Sequence, residues 1–421
     1  MSQERQEKVR TFGRAMWARC AVALVASGAG GLASAAALPD LTPFFDALRA
    51  GARMAQSTSE GNPEDEADLL RLVLQQAFEG YRIYFETDPD FPEWVEGNNY
   101  PRGNAGNSPD TRYFYTRLDP AGVYRIWGKR NSVAIVVLQV GRMGLQITDG
   151  KPLDHYSLDD LTLAADGSFE MILSGERPEA YKRDWRKLSP EAEVIYLRQV
   201  MLDWDREKDA EIYIERLDRP AVPPRLTTEA LRARAEAMFR YTSDAVRVQM
   251  NPGVVVPRPP VNALQATTFS GTGGLAQQLY HWGRFDLSED EALIVEAQAP
   301  SSCRFWNFQV TDTANVANDY MYRQTHLNKS ILAIDQDDRF RLVVSQKDPG
   351  IANWIDTAGH RKGIMLMRWE SCKEASEVGI KKVTLTEVRN YLPADTLLVT
   401  NAERLEALRK RTVALRRRLG R

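Results

Sequence analysis

The sequence predicts a mainly β protein with flanking helices (α+β), built from two tandem, internally repeated antiparallel β-sandwich-like modules. Three observations indicate this fold class: an internal repeat, short β-rich runs bounded by turn residues, and helical periodicity outside those runs. We place the first module at residues 113–204 and the second at residues 266–392. The chain of 421 residues has the length of two or three domains and can bury a large core.

The internal repeat is most regular around one histidine in each half. Without a gap, one set of positions falls on the other: His155, Leu161, Asp166, Phe169, Ser174 and Pro178 on His326, Leu332, Asp337, Phe340, Ser345 and Pro349. With a small drift in register, Gln139, Trp185 and Arg198 fall on Gln309, Trp354 and Arg368. We expect residues shared by both copies to serve packing, and polar residues found in only one copy to be better candidates for a site.

Turn residues place a hairpin inside each module. Asp166-Gly167 separates two β-rich runs, and both residues tolerate the positive φ of a type I′ turn. The second copy has Asp337-Asp338 at this position. Because this pair suits a tight turn less well, the sequence predicts a longer loop there.

Two segments before and between the modules are expected to be helical in part. Residues 39–112 contain a helix that begins at Asn62-Pro63, followed by a Gly-, Asn- and Pro-rich surface loop that extends to Asp110. Residues 205–265 contain a proline-rich linker and a helix from Thr227 to Met250.

Residues 393–421 are predicted to form a basic C-terminal helix. Thr400 and Glu403 have the spacing of a capping box. An apolar stripe predicts that the helix docks or dimerises, with its arginines on a charged face; the stripe is Leu405, Leu408, Thr412, Leu415 and Leu419.

Residues 1–38 are either an export signal or a disordered lead. Arginines precede an Ala- and Gly-rich run whose small residues near Ala37 resemble a signal-peptidase site. The protein is therefore either exported after cleavage or cytoplasmic, and the sequence leaves both open. Cys303 and Cys372 lie near the opening and closing strands of the second module, where they either pair or stay reduced.

Composition and spacing exclude several classes of protein. The 55 basic and 57 acidic residues give a formal charge of -2, which argues against a general nucleic-acid binder. No segment is long and apolar enough to form a transmembrane helix. The four histidines lack the i, i+4 spacing of a metal site, and no cysteines are paired in sequence, so no metal is expected.

One glycine-rich segment fits a nucleotide-binding motif without its context. The run from Gly271 to Ala276 matches the dinucleotide fingerprint, and Glu296 follows at the distance of the ribose-binding acid. The helix expected over residues 276–282 is too short to cross a parallel sheet. No cofactor is therefore expected, and a nicotinamide-dependent oxidoreductase is kept only as an alternative.

Two polar runs occur only in the second copy and supply the candidate site. Asp356 and His360 are the catalytic candidates, because an acid can orient a base for proton transfer. The same residues also fit an Asx-turn at Asp356 and a glycine corner at Gly359. The substrate-binding candidates are polar or aromatic side chains that can hydrogen-bond or stack: Trp306, Tyr320, Tyr322, Arg323, Asn353 and Trp354.

The second module resembles a known bacterial family. The similarity rests on Asp348-Pro-Gly350, Asn353-Trp354, the run from Asp356 to His360, and Arg368-Trp369. These segments resemble proteins that carry the domain of unknown function numbered 1214, and the similarity extends over about residues 69–418. The resemblance implies β-sandwich-like modules, homo-oligomers and a relation to the paired family numbered 1254, thought to act near polysaccharides. It implies no established catalytic residues.

These observations favour a ligand-binding protein for a sugar, an aromatic compound or a lipid-like small molecule. The site is expected in or beside the second module, or between the two. Two further alternatives remain, namely a lyase or hydrolase that uses the Asp356 and His360 pair, and a purely structural oligomer. An enzyme requires that pair within hydrogen-bonding distance and facing a cleft.

Overall fold

The structure, a computed structural model, describes residues 39–99, 103, 106–143, 152–250, 258–269, 274–275, 277–317, 319–373 and 375–420. Within these residues, four β-sheets form two sandwich-like modules that helices flank. The expected lead at residues 1–38 and the fingerprint glycines Gly271 and Gly273 lie outside the described residues.

The first sandwich consists of a five-stranded sheet and a four-stranded sheet. The strand order is β1-β2-β8-β4-β5 in the larger sheet and β7-β6-β3-β9 in the smaller. The strand bounds are β1 Val95–Gly97, β2 Thr111–Arg117, β3 Tyr124–Lys129, β4 Ile135–Gly141, β5 Pro152–Ser157, β6 Ser168–Ser174, β7 Asp184–Lys187, β8 Val194–Val200 and β9 Glu211–Arg216.

The second sandwich repeats this arrangement strand for strand. Its sheets have the orders β10-β11-β17-β13-β14 and β16-β15-β12-β18, so each strand has a counterpart nine strands later, and the predicted repeat of two modules is confirmed. The bounds are β10 Ala263–Thr267, β11 Gln278–Asp286, β12 Glu291–Gln298, β13 Phe305–Thr311, β14 His326–Asn328, β15 Arg339–Ser345, β16 Trp354–Asp356, β17 Lys362–Glu370 and β18 Val378–Thr384.

One strand pair in each sandwich departs from the antiparallel expectation. Strands β6 and β7 are parallel, as are β15 and β16, because the intervening loop returns the chain to the same end of the sheet. In both pairs, a tryptophan on one strand donates a hydrogen bond to a serine on the other. Trp185 Nε1 donates to Ser174 Oγ at 3.1 Å, and Trp354 Nε1 donates to Ser345 Oγ at 3.0 Å. The repeat therefore extends to individual hydrogen bonds.

The two turns are alike, so the longer loop predicted for the second copy is wrong. Neither turn closes the predicted hairpin, because β5 and β6 belong to different sheets, as do β14 and β15. Gly167 has a φ of 78°, and its N–H donates to Ala164 O at 2.9 Å. Asp338 adopts a φ of 58°, and its N–H donates to Asp335 O at 3.1 Å. Aspartate is one of the few residues that enters the left-handed region at modest cost, so it replaces glycine here.

Strands β11 and β9 occupy segments for which the sequence suggested something else. Residues 278–286 form β11, antiparallel to β17, where a dinucleotide-binding motif requires a helix. The predicted short helix over residues 276–282 is therefore wrong. Strand β9 lies in the segment assigned to the linker, where Ile212 and Ile214 alternate with polar residues in the period of a strand.

Each sandwich has its own apolar core. In the second, Trp306 stacks on Phe340 with ring centroids 4.9 Å apart, and both rings are almost fully buried. A disulfide joins Cys303, before β13, to Cys372, after β17, with Cα atoms 4.0 Å apart. The pairing that the sequence left open is therefore formed in the structure.

Three helices pack together beside the sandwiches: α1 Thr42–Thr58, α2 Pro63–Tyr81 and α3 Thr228–Gln249. Helix α2 begins as the sequence predicts, because the Asn62 side chain accepts a hydrogen bond from Glu64 N at 3.0 Å. None of the helices in the described residues has the length and hydrophobicity needed to cross a bilayer.

The C-terminal helix α4, Asn401–Arg418, docks through arginines as well as apolar residues. Its predicted capping box of Thr400 and Glu403 is formed. Arg404, Arg411 and Arg418 recur every seven residues and reach inward, whereas Leu405 is 48% exposed. The rest of the predicted stripe, namely Leu408, Thr412, Leu415 and Leu419, is buried or half-buried. The arginines lie on this side as well, because they find carbonyl and carboxylate partners below the helix.

Candidate functional site

Asp356, a catalytic candidate, is engaged in an ion pair and a turn. Arg323 Nη1 donates to Asp356 Oδ2 at 3.1 Å. The other carboxylate oxygen, Oδ1, accepts from Ala358 N at 2.8 Å, which is the Asx-turn that the sequence also allowed. The structure therefore joins two of the predicted residues, Asp356 and Arg323, in a local contact that shapes the loop.

His360, the other catalytic candidate, lies beside the acids of helix α2. Its Nδ1 is 3.8 Å from Asp65 Oδ1, and its Nε2 is 3.5 Å from Asp68 Oδ2. Burial raises the pKa of Asp65, and His360 opposes that rise. These contacts connect the loop to the helical group, whereas the described partner acids of His360 do not include Asp356.

Three of the predicted ligand-binding residues are packing residues. Trp306 is 2% exposed, within the sandwich core. The Asn353 amide donates to Ala333 O at 2.7 Å and to Arg341 O at 3.1 Å, so its two N–H groups hold the main chain. Trp354 lies under Arg404, whose guanidinium is 5.4 Å from the ring centroid. None of these three presents a stacking face to a common cleft.

The two predicted tyrosines lie in different surroundings. Tyr320 is 2% exposed and packs against Trp204 and helix α4, whereas Tyr322 is 49% exposed. The predicted ligand-binding set is therefore divided between the core, the docked helix and the surface.

Residues that both copies share gather instead between the two five-stranded sheets. The faces of these sheets that point away from the sandwich cores lie toward each other, and Ile135 and Val200 of one contact Phe305 of the other. At the opposite end, Tyr115 packs against Tyr241 of helix α3. Between these contacts lie polar and aromatic side chains that we call the inter-sheet site: Tyr113, Gln139, His155, Tyr196, Arg198, Tyr280 and Glu370.

Arg198 is the central cation of the inter-sheet site. Its Nη1 donates to Gln139 Oε1 on the neighbouring strand. The guanidinium lies 5.9 Å from the ring centroid of Tyr113 and 5.7 Å from that of Tyr196. Burial lowers the pKa of Arg198, and Tyr113 and Tyr280 oppose that change. Because Tyr113, Tyr196 and Arg198 are only partly buried, solvent still reaches this face.

The facing sheet contributes a carboxyl group and a tyrosine. Burial raises the pKa of Glu370 to about 7, although Arg304 and Arg198 lower it. Burial also raises the pKa of Tyr280 to about 12. The interaction of Arg198 with both side chains shows that groups from the two sandwiches share one electrostatic environment.

Among the residues that the structure describes, several polar atoms at this site have no hydrogen-bond partner. They are Gln139 Nε2, His155 Nε2 and Glu370 Oε2. Burial, with a contribution from Arg198, lowers the pKa of His155 to about 4, so its imidazole is neutral at pH 7. Because buried polar groups in proteins are nearly always hydrogen-bonded, such atoms indicate water or a ligand.

The corresponding histidine of the second sandwich is the centre of a closed network. His326 Nε2 is 3.1 Å from Asp110 Oδ1, which also accepts from Asn328 Nδ2 at 2.7 Å. Arg411 of α4 contacts His326 Nδ1 and lies 4.5 Å from the Trp204 ring centroid. The loop that ends at Asp110, predicted to lie on the surface, is therefore buried where it meets the second sandwich.

Electrostatics keep this closed network in one protonation state. Burial and the nearby Arg411 lower the pKa of His326 to about 4, although Asp110 acts in the opposite direction. Burial disfavours the Asp110 carboxylate, but His326 and Asn307 hold its pKa below the ordinary value. Because Arg411 can only donate, it fixes the neutral imidazole with its proton on Nε2, directed at Asp110. With 0% exposure, Asp110 and His326 join the sandwiches and are closed to solvent.

The inter-sheet site is not the site that the sequence predicted, because we expected residues shared by both copies to serve packing. A Gln–His–Arg set in each copy was visible in the alignment, and a tyrosine lies opposite each arginine in the structure, at Tyr113 and Tyr280. Repetition of a polar set on one sheet face was the available signal. Among the described residues, no group of three or more His, Cys, Asp or Glu side chains is placed to hold a metal ion.

The fold and this geometry define a two-sandwich β protein with polar and aromatic side chains between its larger sheets. Residues 284–372 match the model of the family described as Protein of unknown function (DUF1214), so this is a DUF1214-containing protein and the resemblance of the second module is confirmed. No curated protein matches the sequence.

The fold also occurs in a solved structure. An uncharacterised protein from Burkholderia cenocepacia aligns over 82% of this chain and 97% of its own, with a TM-score of 0.75 and 24% identity. A protein from Vibrio parahaemolyticus aligns over 79% of this chain and 100% of its own, with a TM-score of 0.42 and 10% identity. The first of these similarities shows the fold alone.

Proposed function

We propose that this protein binds a small molecule at the inter-sheet site, between its two five-stranded sheets. The observation that carries the proposal is the group of unpartnered polar atoms there: Gln139 Nε2, His155 Nε2 and Glu370 Oε2. Leaving a buried donor or acceptor unpaired costs about 1–3 kcal/mol, so a ligand that pairs these atoms gains a corresponding advantage.

The surroundings of these atoms favour binding over catalysis. Tyr113, Tyr196 and Tyr280 provide flat, partly apolar walls, and a few polar groups among them give orientation, which is the usual composition of a ligand site. The aromatic and lipid-like ligands expected from the sequence fit these walls, as does a sugar stacked on a tyrosine ring. A lyase or hydrolase based on Asp356 and His360 has no comparable support, because Asp356 pairs with Arg323 and His360 lies beside Asp65 and Asp68. The described contacts therefore do not join the two residues as an acid and a base.

A thermal-shift screen with sugars, aromatic acids and fatty acids tests the proposal. A ligand at about 100 times its Kd stabilises the folded state by about 2.7 kcal/mol. Val137 lies on the same sheet face, opposite Arg198, so Val137→Trp should fill the site and remove the ligand-induced shift. Val222→Trp is the matched control, because Val222 is 78% exposed in the linker.

The loop around Asp356 serves as the competing location. Asp356→Ala and His360→Ala should leave the ligand-induced shift in place, because these residues lie outside the inter-sheet site. Loss of the shift in these variants, with Val137→Trp still responding, would move the site to the loop and reject the proposal.

A further inference from the structure

We infer that the ligand presents a carboxylate to Arg198, Gln139 and His155, in the way that residues 106–110 present oxygen acceptors to the equivalent side chains of the second sandwich. The inference rests on the proposed function and names the chemical class of its ligand. Its basis is a comparison of two equivalent surfaces within one chain.

The two surfaces are equivalent by strand register. Gln139 pairs with His155 across β4 and β5, and Gln309 pairs with His326 across β13 and β14. In each sandwich the arginine, on β8 or β17, donates to the glutamine Oε1. The guanidinium, amide and imidazole are therefore presented in the same order on both sheet faces.

In the second sandwich, this set binds the chain's own oxygen atoms. Arg368 Nη2 donates to Gly106 O at 2.9 Å, and Gln309 Nε2 donates to Asn107 O at 2.8 Å. The imidazole of His326 is directed at the Asp110 carboxylate. Two carbonyl oxygens and one carboxylate thus satisfy the three side chains.

In the first sandwich, the same atoms of the glutamine and histidine have no partner within the described part of the chain. Since a guanidinium only donates, the contact with Arg198 fixes the amide so that Gln139 Nε2 points away from the arginine as a donor. His155 Nε2 is also unpartnered. Donors from a cation and an amide, beside an imidazole nitrogen that donates in one of its two neutral tautomers, call for an acceptor with several lone pairs. A carboxylate matches the arginine fork best.

The walls of the site define the rest of the ligand. The rings of Tyr113 and Tyr196 lie 5.9 Å and 5.7 Å from the Arg198 guanidinium, and Tyr280 lies on the facing sheet. A flat or apolar body attached to the carboxylate would contact these rings. A free inorganic anion would reach the donors and leave the rings uncovered, so we expect an organic acid.

Isothermal titration at pH 6 with three carboxylates and their amides tests the inference. The probes are benzoate, 2-naphthoate and decanoate, each paired with the neutral amide of the same carbon skeleton. We expect at least one carboxylate to bind about tenfold more tightly than its amide, since a charge-assisted hydrogen bond contributes about this factor.

Two variants locate the effect. Arg198→Met should weaken that carboxylate about tenfold and leave the amide unchanged, while Arg186→Met should change neither. Arg186 is the matched control, because it lies over the Tyr156 ring at 5.9 Å on the four-stranded sheet, away from the inter-sheet site. If Arg198→Met fails to fold, Gln139→Leu removes the amide donor and should produce the same selective loss.

The outcomes separate the ligand class from the proposed function. Equal binding of carboxylates and amides, both lost in Val137→Trp, would overturn the carboxylate inference and leave the inter-sheet site standing. Carboxylate binding that survives Arg198→Met and Gln139→Leu would also overturn it. If none of these compounds binds and the broader screen gives no shift, both proposals fail.

Discussion

Glu370→Gln should change the free energy of unfolding more favourably at pH 8 than at pH 4.5. The carboxyl group is 4% exposed at the end of β17, where burial raises its pKa to about 7 from an ordinary value of 4.5. Ser371 Oγ donates to Oε1 at 3.2 Å, a contact that a glutamine carbonyl can also accept. The substitution therefore removes a titrating group and keeps the local geometry.

The sign and size follow from the two pKa values. Between pH 4.5 and pH 7 the folded protein keeps a proton on Glu370 that the unfolded chain releases, so the free energy of unfolding falls as pH rises through this window. The rise from 4.5 to about 7 corresponds to about 3 kcal/mol. Glutamine does not titrate, so the stability of the variant relative to the wild type should increase by about 3 kcal/mol from pH 4.5 to pH 8.

Urea unfolding at both pH values, followed by tryptophan fluorescence, measures this difference. Glu291→Gln is a useful control, because a hydrogen bond with Lys382 lowers the pKa of Glu291 to about 2. This group therefore changes stability below pH 4.5, and its substitution should have nearly the same effect at the two pH values. An identical effect of Glu370→Gln at pH 4.5 and pH 8 would refute the reasoning. It would mean that Glu370 is ionised in the folded protein throughout, and that the charged groups around it outweigh its burial.

Three further predictions concern the buried histidine, the disulfide and a strand glycine. The free energy of unfolding of the wild type should fall by about 3 kcal/mol as pH falls from 6.5 to 4, because only the unfolded chain takes up a proton on His326 in that window. His326→Gln should remove this loss. Parallel urea titrations of both proteins at pH 7 and pH 4 measure the difference. Reduction of the Cys303–Cys372 disulfide, which spans a sequence separation of 69, should lower the free energy of unfolding by about 4 kcal/mol, with a Cys303→Ser/Cys372→Ser variant insensitive to reductant as the control. Gly128→Ala should destabilise the first sandwich by about 2 kcal/mol or more, because its Cβ would stand 1.7 Å from Glu211 O on β9, whereas Gly167→Ala meets no neighbouring atom and tests only the cost of a positive φ.

Sequence reasoning recovered the architecture because the repeat constrains every strand twice. The alignment of His155 with His326 fixed the register of one copy on the other, and matched pairs such as Trp185 and Trp354 then predicted equivalent positions. Predictions failed where local chemistry allowed two conformations. Asp338 replaced a glycine in a left-handed turn, and the short run from Gln278 to Asp286 was compatible with a helix or a strand until its partner strand was known.

The candidate site was harder to predict because identical side chains lie in different environments. Gln309 and Gln139 occupy equivalent positions, but the chain segment at Asn107 covers only the former. The sequence around each glutamine carries no local pattern that shows whether a distant segment of the chain will cover it. In the second copy the shared residues do serve packing, whereas in the first copy the same residues form the site that we propose.

The arginines of helix α4 connect this helix to both sandwiches. Arg404 binds Asp348 in the second sandwich, whereas Arg418 donates to Gln199 O and pairs with Asp209 in the first. Separating the halves would therefore leave Arg404 or Arg418 without its partners. We therefore expect the duplicated units to fold together and the protein to unfold in one cooperative transition. Expressing either sandwich alone would require redesigning the surface that the other half now covers.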